Sequence, residues 1–267
     1  MIRDLSGKSV LITGGTRGIG LAAGLAFAAR GARCILTYRW GSADEGDVKS
    51  RFAAAGGPAP LLVQSDASSE EDREALMFSL RNETGSIDTL ISGVAGATLV
   101  TGMDDLNERA LTKTMQYTVW PTIGYVRSIG KAFAHYPRYI VALSSPGPDH
   151  FYMNYDFAAA SKASLEALCR YLGHRLRREG VRVNVVRTTG IRTASFNDVF
   201  GEEFGGFMTR FVPERFLVHE NEVAGVILAL CSGLLDGISG QVITVDKGFV
   251  FADNIMRLYG EREALGL

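Results

Sequence analysis

With 267 residues, 46% of them hydrophobic and 21% charged, the chain is long enough to bury a full α/β core as one domain. A formal net charge of −1 and a pI near 6.4 exclude a strong electrostatic footprint for nucleic acid or an anionic membrane. No apolar run approaches the ~18 residues needed to span a bilayer, and the first one, SVLIT at 9–13, runs straight into a glycine turn. A soluble cytoplasmic protein is the expectation. Cys34, Cys169 and Cys231 are scattered through apolar segments, as buried small hydrophobes in a reducing compartment would be.

In chain order, short apolar runs alternate with helix-period segments. SVLIT (9–13) precedes a helix from about Ile19 to Arg30. ARCILTY (32–38) precedes a polar loop and a helix near 44–55. APLLVQS (59–65) leads to SSEEDREALMFSLRNET, where serine ahead of acidic residues marks a helix start. TLISGVA (89–95) is followed by one long helical region over about 105–134. Then come RYIVALSS (138–145), a helix running on from YMNYDFAAASK (152–162), and VRVNVVRT (181–188). A Phe-rich irregular segment separates these from a helix near 220–233 and a last strand, GQVITVD (240–246). Continuous apolar strands separated by helices predict an α/β fold with a doubly wound parallel sheet in a single domain over 1–267.

The first strand ends in TGGTRGIG, residues 13–20, with Gly14, Gly18 and Gly20 spaced G-x3-G-x-G. Glycines there let backbone approach a pyrophosphate while a helix N-terminus aims its free N–H groups at it. The candidate cofactor-binding residues of this turn are Gly14, Thr16, Arg17, Gly18, Ile19 and Gly20. An NAD site usually carries an acid at the end of the second strand. Here that end reads Thr37-Tyr38-Arg39, with no acid before Asp44. Arg39 and Arg17 are placed to bracket a 2′-phosphate, which favours NADPH. Asp66, followed by Ala67, is positioned either to meet an adenine edge or to cap the helix that follows.

These features together resemble the short-chain dehydrogenase/reductase family. The resemblance covers nearly the whole chain: TGGTRGIG, Asp66 after the third strand, Ser144-Ser145, Ser161-Lys162, VRVN at 181–184 and GQVITVDKG at 240–248. It implies a Rossmann-like sheet of about seven strands, a nicotinamide cofactor and a homotetramer or homodimer. It also assigns a cofactor contact to Thr193, with Ile191 beside it, and a substrate lid to about 194–216. The chain departs from the family at Ser92-Gly93-Val94-Ala95, at Thr118 in place of the catalytic asparagine, and at Thr188-Thr189 in place of Pro-Gly. Four residues before Lys162, where the family's tyrosine belongs, stands Ala158.

One divergent branch, the enoyl-acyl-carrier-protein reductases, places tyrosine seven before the lysine, as Tyr155 stands to Lys162. The NADPH-dependent type that keeps an ordinary glycine turn also has a serine seventeen before the lysine, here Ser145. The spacing suits conjugate reduction. Hydride lands on C3 of an enoyl thioester while charge develops on the thioester oxygen, three bonds away, so the donor must be displaced along the acyl chain. Residues seven apart in a helix are about 20° from eclipsed and roughly 10 Å apart along the axis. Tyr155 is therefore expected at or just before the helix start, with Lys162 holding the nicotinamide ribose. Tyr152 is a rival donor, and His150, between Ser145 and the tyrosines, either donates or relays a proton or is a solvent-facing loop residue. Phe196, Phe200, Phe204, Phe207, Phe211 and Phe216 suit an acyl or polyketide-like substrate, or else pack the lid onto the core. The tail, 249–267, is expected to reach a neighbouring subunit. A carbonyl reductase and a catalytically silent nucleotide-binding protein are the competing readings; product analysis and a substrate panel separate them.

Overall fold

Runs of β-branched and aliphatic residues become the strands of one parallel sheet, whose central strands are buried on both faces and whose edge strands are partly buried. The computed structural model describes residues 4–39, 43–96, 98–189 and 201–266. The strands are β1 (Ser9–Thr13), β2 (Arg33–Tyr38), β3 (Leu61–Gln64), β4 (Thr89–Ser92), β5 (Tyr139–Ser144), β6 (Arg182–Thr188) and β7 (Val242–Val245). Their order across the sheet is β3-β2-β1-β4-β5-β6-β7, with every pairing parallel. Sequence order reverses between β1 and β4. At such a switch point the connections leave toward opposite faces and open a crevice at the carboxyl ends of the strands.

Helices cover both faces. α1 (Gly18–Ala28) and α2 (Glu45–Ala54) share one core with β1 and β2, into which Leu21, Phe27, Val48 and Phe52 are buried. α3 (Glu70–Arg81), α4 (Glu108–Thr118), α5 (Trp120–Phe133) and α6 (Asp156–Arg175) follow in the chain. Leu76, Leu80, Tyr125, Ile129, Leu165 and Cys169 build the second core on the opposite face. α7 (Glu202–Phe211), α8 (Glu220–Leu230), α9 (Asn254–Gly260) and α10 (Arg262–Leu265) complete the chain. Burial of the three cysteines pushes their thiols up, to about 12 for Cys34 and Cys169. They are packing groups rather than nucleophiles at neutral pH. Among the described residues, no helix is long and apolar enough to cross a membrane.

The single long helix expected over 105–134 is two helices. Pro121 lacks the N–H that would continue the ladder, but it is tolerated in the first turn of a new helix, so the chain breaks at Val119. The Phe-rich segment expected to be irregular contains α7. Its residues 202–211 carry no proline and end one residue before Val212-Pro213. Side chains cap the starts of α2, α3 and α4: Asp44, Ser69 and Asn107 each accept a backbone N–H from the first turn of their helix.

Candidate active site

The glycine turn lies at the switch point, and its close packing has a specific cause. A Cβ on Gly20 would lie 2.3 Å from the Gly14 carbonyl oxygen and 3.1 Å from Gly15 Cα, all of it backbone. Gly14 and Gly18 have positive φ, 68° and 52°, which side chains strain to adopt. α1 begins at Gly18, and no side chain caps it. The exposed N–H groups and glycine-lined approach fit a pyrophosphate. Thr16 is buried beneath this turn and Arg17 stands exposed at its rim. Gly20→Ala must open the turn, a strain of about 1–3 kcal/mol. It is expected to weaken dinucleotide binding by about 10- to 100-fold in a fluorescence titration.

At the end of β2, Arg39 lies beside the end of β3. Its Nε is 3.3 Å from Asp66 Oδ2, and its guanidinium sits 5.3 Å from the centre of the Tyr117 ring. Tyr117 donates its hydroxyl hydrogen to the same Asp66 oxygen at 3.3 Å. Burial pushes the Asp66 carboxyl up. Two hydrogen bonds from Ser68, the Arg39 cation and the Tyr117 hydroxyl outweigh it and hold the group below its ordinary value. Ser69, not Asp66, caps α3, which removes the capping alternative for Asp66. Ala67 is buried beside it, and its carbonyl accepts from Arg73. Asp44, the nearest acid after β2, accepts from Asp47 N as the cap of α2.

The loop after β4 is fixed by hydroxyls. Gly93 N donates to Thr13 Oγ1 at 3.0 Å. Thr118, in the position expected for asparagine, is buried. Its Oγ1 accepts from Gly96 N and donates to Gly96 O, both at 3.1 Å. The threonine thus shapes the loop and has no side-chain group extending further into the crevice.

Tyr155 stands immediately before α6, as the N-cap residue, with φ −111° and ψ 12°. Its hydroxyl donates to Ser145 Oγ at 3.2 Å. The ring packs on the turn after β5: a Cβ on Gly147 would lie 2.9 Å from Tyr155 Cε1. Burial raises the phenol above its ordinary value, the Ser145 hydrogen bond pulls the other way, and Tyr152 adds to the rise. Tyr155 is therefore a protonated phenol at neutral pH, a donor rather than a phenolate. Tyr152 is aimed elsewhere: its oxygen is 3.1 Å from Thr189 Oγ1 beyond the end of β6, and its ring centre is 6.1 Å from that of Tyr155. His150 is exposed.

Lys162 lies on the buried face of α6, and its Nζ donates to the Leu143 carbonyl at 2.8 Å. Burial lowers its pKa to about 8, against smaller raising effects from Glu166 and Cys169. Ala158, in the position where the common tyrosine belongs, is buried in the helix interface.

Behind these groups lies an ionic cluster that the sequence reading did not identify. Glu166 is buried, accepts from Ser144 Oγ at 2.6 Å, and is gripped by Arg187 through Nε at 3.1 Å and Nη2 at 2.7 Å. Arg187 also pairs through Nη1 with Asp149. A glutamate on the apolar face of a helix, facing an arginine inside a strand, is the available sequence signal. It becomes legible only once β5, β6 and α6 are aligned.

Ile191, Thr193 and the lid residues from 194 to 200, Phe196 and Phe200 among them, lie outside the described residues. In the remainder, Phe207 and Phe211 of α7 stack with ring centres 4.9 Å apart, and Phe207 is more than half exposed. The tail packs against this segment of its own chain. Arg257 donates to the Phe211 carbonyl at 2.8 Å, Arg215 pairs with Glu261 at 2.6 Å, and Phe249 packs on Phe216.

A family model described as enoyl-(acyl carrier protein) reductase matches residues 14–250. The chain belongs to that family, within the short-chain dehydrogenase/reductases. Among its relatives, enoyl-acyl-carrier-protein reductase (NADH) FabI of Aquifex aeolicus is 27% identical over 98% of this chain and 96% of that protein. The 1-cyclohexenylcarbonyl-CoA reductase of Streptomyces collinus is 28% identical over 89% of this chain and 85% of its own length. In fold, the chain matches a short-chain type dehydrogenase/reductase from Mycobacterium marinum with a TM-score of 0.81 at 22% identity, over 93% of this chain and 98% of the other.

Proposed function

We propose that this enoyl-reductase family member reduces the carbon–carbon double bond of an enoyl thioester, carried on an acyl carrier protein or coenzyme A, with NADPH. The observation that carries this reading is the position of Tyr155, one residue ahead of α6, with its protonated hydroxyl on Ser145. When bound, the nicotinamide supplies hydride to C3. Tyr155 and Ser145 then present hydroxyl hydrogens toward the thioester oxygen, where negative charge develops. Lys162 holds a positive charge beneath the ribose position, and the glycine turn holds the pyrophosphate. The names of the Aquifex and Streptomyces relatives support an enoyl substrate. The aromatic α7 segment supports an acyl or polyketide-like chain.

The FabI relative is named as an NADH enzyme. For this chain the ribose end favours NADPH: Arg39 directly follows β2, Asp44 serves as a cap, and Arg17 stands at the turn rim. Arg39 is half-exposed while its partner Asp66 is largely buried, so the guanidinium is open to solvent, from which a 2′-phosphate would approach. Arg39→Leu is expected to remove about 1.5–3 kcal/mol of charge-assisted bonding. That is a rise of about 10- to 100-fold in KM for NADPH with little change for NADH. Equal effects on both cofactors would argue against the assignment.

The substrate assignment is tested by NADPH oxidation with crotonyl and longer enoyl thioesters, set against 3-ketoacyl thioesters and simple ketones. Turnover of ketones alone, surviving Tyr155→Phe, would sink it. We further place the enzyme in the cytoplasm as a homotetramer or homodimer, with residues 194–216 as its lid. Sedimentation measures the assembly.

A further inference from the structure

Arg187 is built into the floor of the site in an unusual way. It lies on β6 opposite Ser144 of β5, and its guanidinium engages two carboxylates on different elements. Glu166, on α6 one turn beyond Lys162, takes a bidentate contact and is buried; Asp149, in the turn after β5, is largely exposed. A buried ion pair contributes little net stability, because desolvation of the charges offsets their attraction. Its rigid fork geometry, however, fixes orientation. What this fork orients is the 146–150 turn. The N–H groups of Asp149 and His150 both converge on the Pro146 carbonyl, and Gly147 of the same turn supports the Tyr155 ring. Ser145 enters the turn and Tyr155 leaves the segment that follows it, so both hydroxyls depend on where the turn sits.

We propose that Arg187 is a positioning residue for the Ser145–Tyr155 pair, acting by clamping the turn residue Asp149 to the buried carboxylate of Glu166. This rests on the reading of Tyr155 as the donor at the thioester oxygen. Asp149→Asn releases the turn while leaving the buried Arg187–Glu166 pair intact, so the fold and the melting temperature are retained. It is expected to lower kcat by up to about 100-fold, the cost of a small misplacement of a catalytic group. KM for the cofactor stays unchanged, and Asp149→Glu restores part of the loss. Amide hydrogen exchange at residues 149 and 150 accelerates. In a Tyr155→Phe background, Asp149→Asn produces no additional loss, because the group it positions is already gone. A second variant, Arg187→Met with Glu166→Gln, removes both charges of the clamp. Because Glu166 also supports the charge of buried Lys162, this variant is assayed well below the Lys162 pKa of about 8, where it is expected to behave like Asp149→Asn. If Tyr155→Phe lowers kcat while Asp149→Asn is neutral, multiplies the Tyr155→Phe loss or leaves exchange unchanged, the positioning role is overturned alone. If Tyr155→Phe itself leaves kcat unchanged, the donor reading fails and takes the positioning role with it.

Discussion

Replacement of Tyr155 by phenylalanine is expected to lower kcat for an enoyl thioester by about 10²–10⁴-fold, the range for removing a positioned proton donor. The dissociation constant for NADPH should stay near that of the parent enzyme. The substitution deletes one oxygen from a ring that packs on Gly147, so packing is kept and the hydrogen bond to Ser145 is lost. The effect belongs in kcat because the hydroxyl's contribution grows as charge develops on the substrate oxygen. Tyr152→Phe, by contrast, breaks a contact with Thr189 and is expected to change kcat far less. Steady-state kinetics of the two variants side by side rank the tyrosines. A larger loss at Tyr152 would transfer the donor role to it.

The second large effect belongs to Lys162. With its pKa lowered by burial to about 8, the ammonium is the dominant form below that pH and is lost above it. If the cation holds the ribose, kcat/KM is highest below about pH 8 and falls as pH rises through that value. The sign follows from the direction of the shift: burial favours the neutral amine, so the alkaline limb comes earlier than for an exposed lysine. Lys162→Met is expected to lower kcat/KM by about 10²–10³-fold and to erase this limb. Lys162→Arg keeps a permanent charge, so whatever activity it retains should lack the limb too. A parent profile that stays flat across the alkaline range would remove Lys162 from the charge-dependent step.

The fold was legible because the strands are short apolar runs, the central ones buried on both faces, and the connections carry helix-period patterns. Element ends moved by a few residues, but none of the seven strands was displaced. The break at Val119 was also available in principle from Pro121, had the proline been weighed against the apolar periodicity around it. Tyr155 and Lys162 could be named because their spacing resembles that of the enoyl-reductase branch. The structure puts Tyr155 at the start of α6 and Lys162 on its buried face, and the kinetics of their variants test their roles. Contacts between distant segments were not legible. The pairing of Arg39 with Asp66 joins the ends of two neighbouring strands. The clamp of Arg187 joins β6, α6 and a turn, with partners 21 and 38 residues away. Such polar pairs follow from register and packing, which a linear pattern of apolar residues leaves open.

The most direct test of the central claim uses NADPH deuterated at the transferring position of nicotinamide C4, with a trans-2-enoyl thioester as acceptor. The expected product is a saturated thioester carrying one deuterium at C3, with Tyr155→Phe suppressing its formation. Deuterium found instead on a carbinol carbon, from a 3-ketoacyl thioester or a ketone and undiminished in Tyr155→Phe, would contradict the claim.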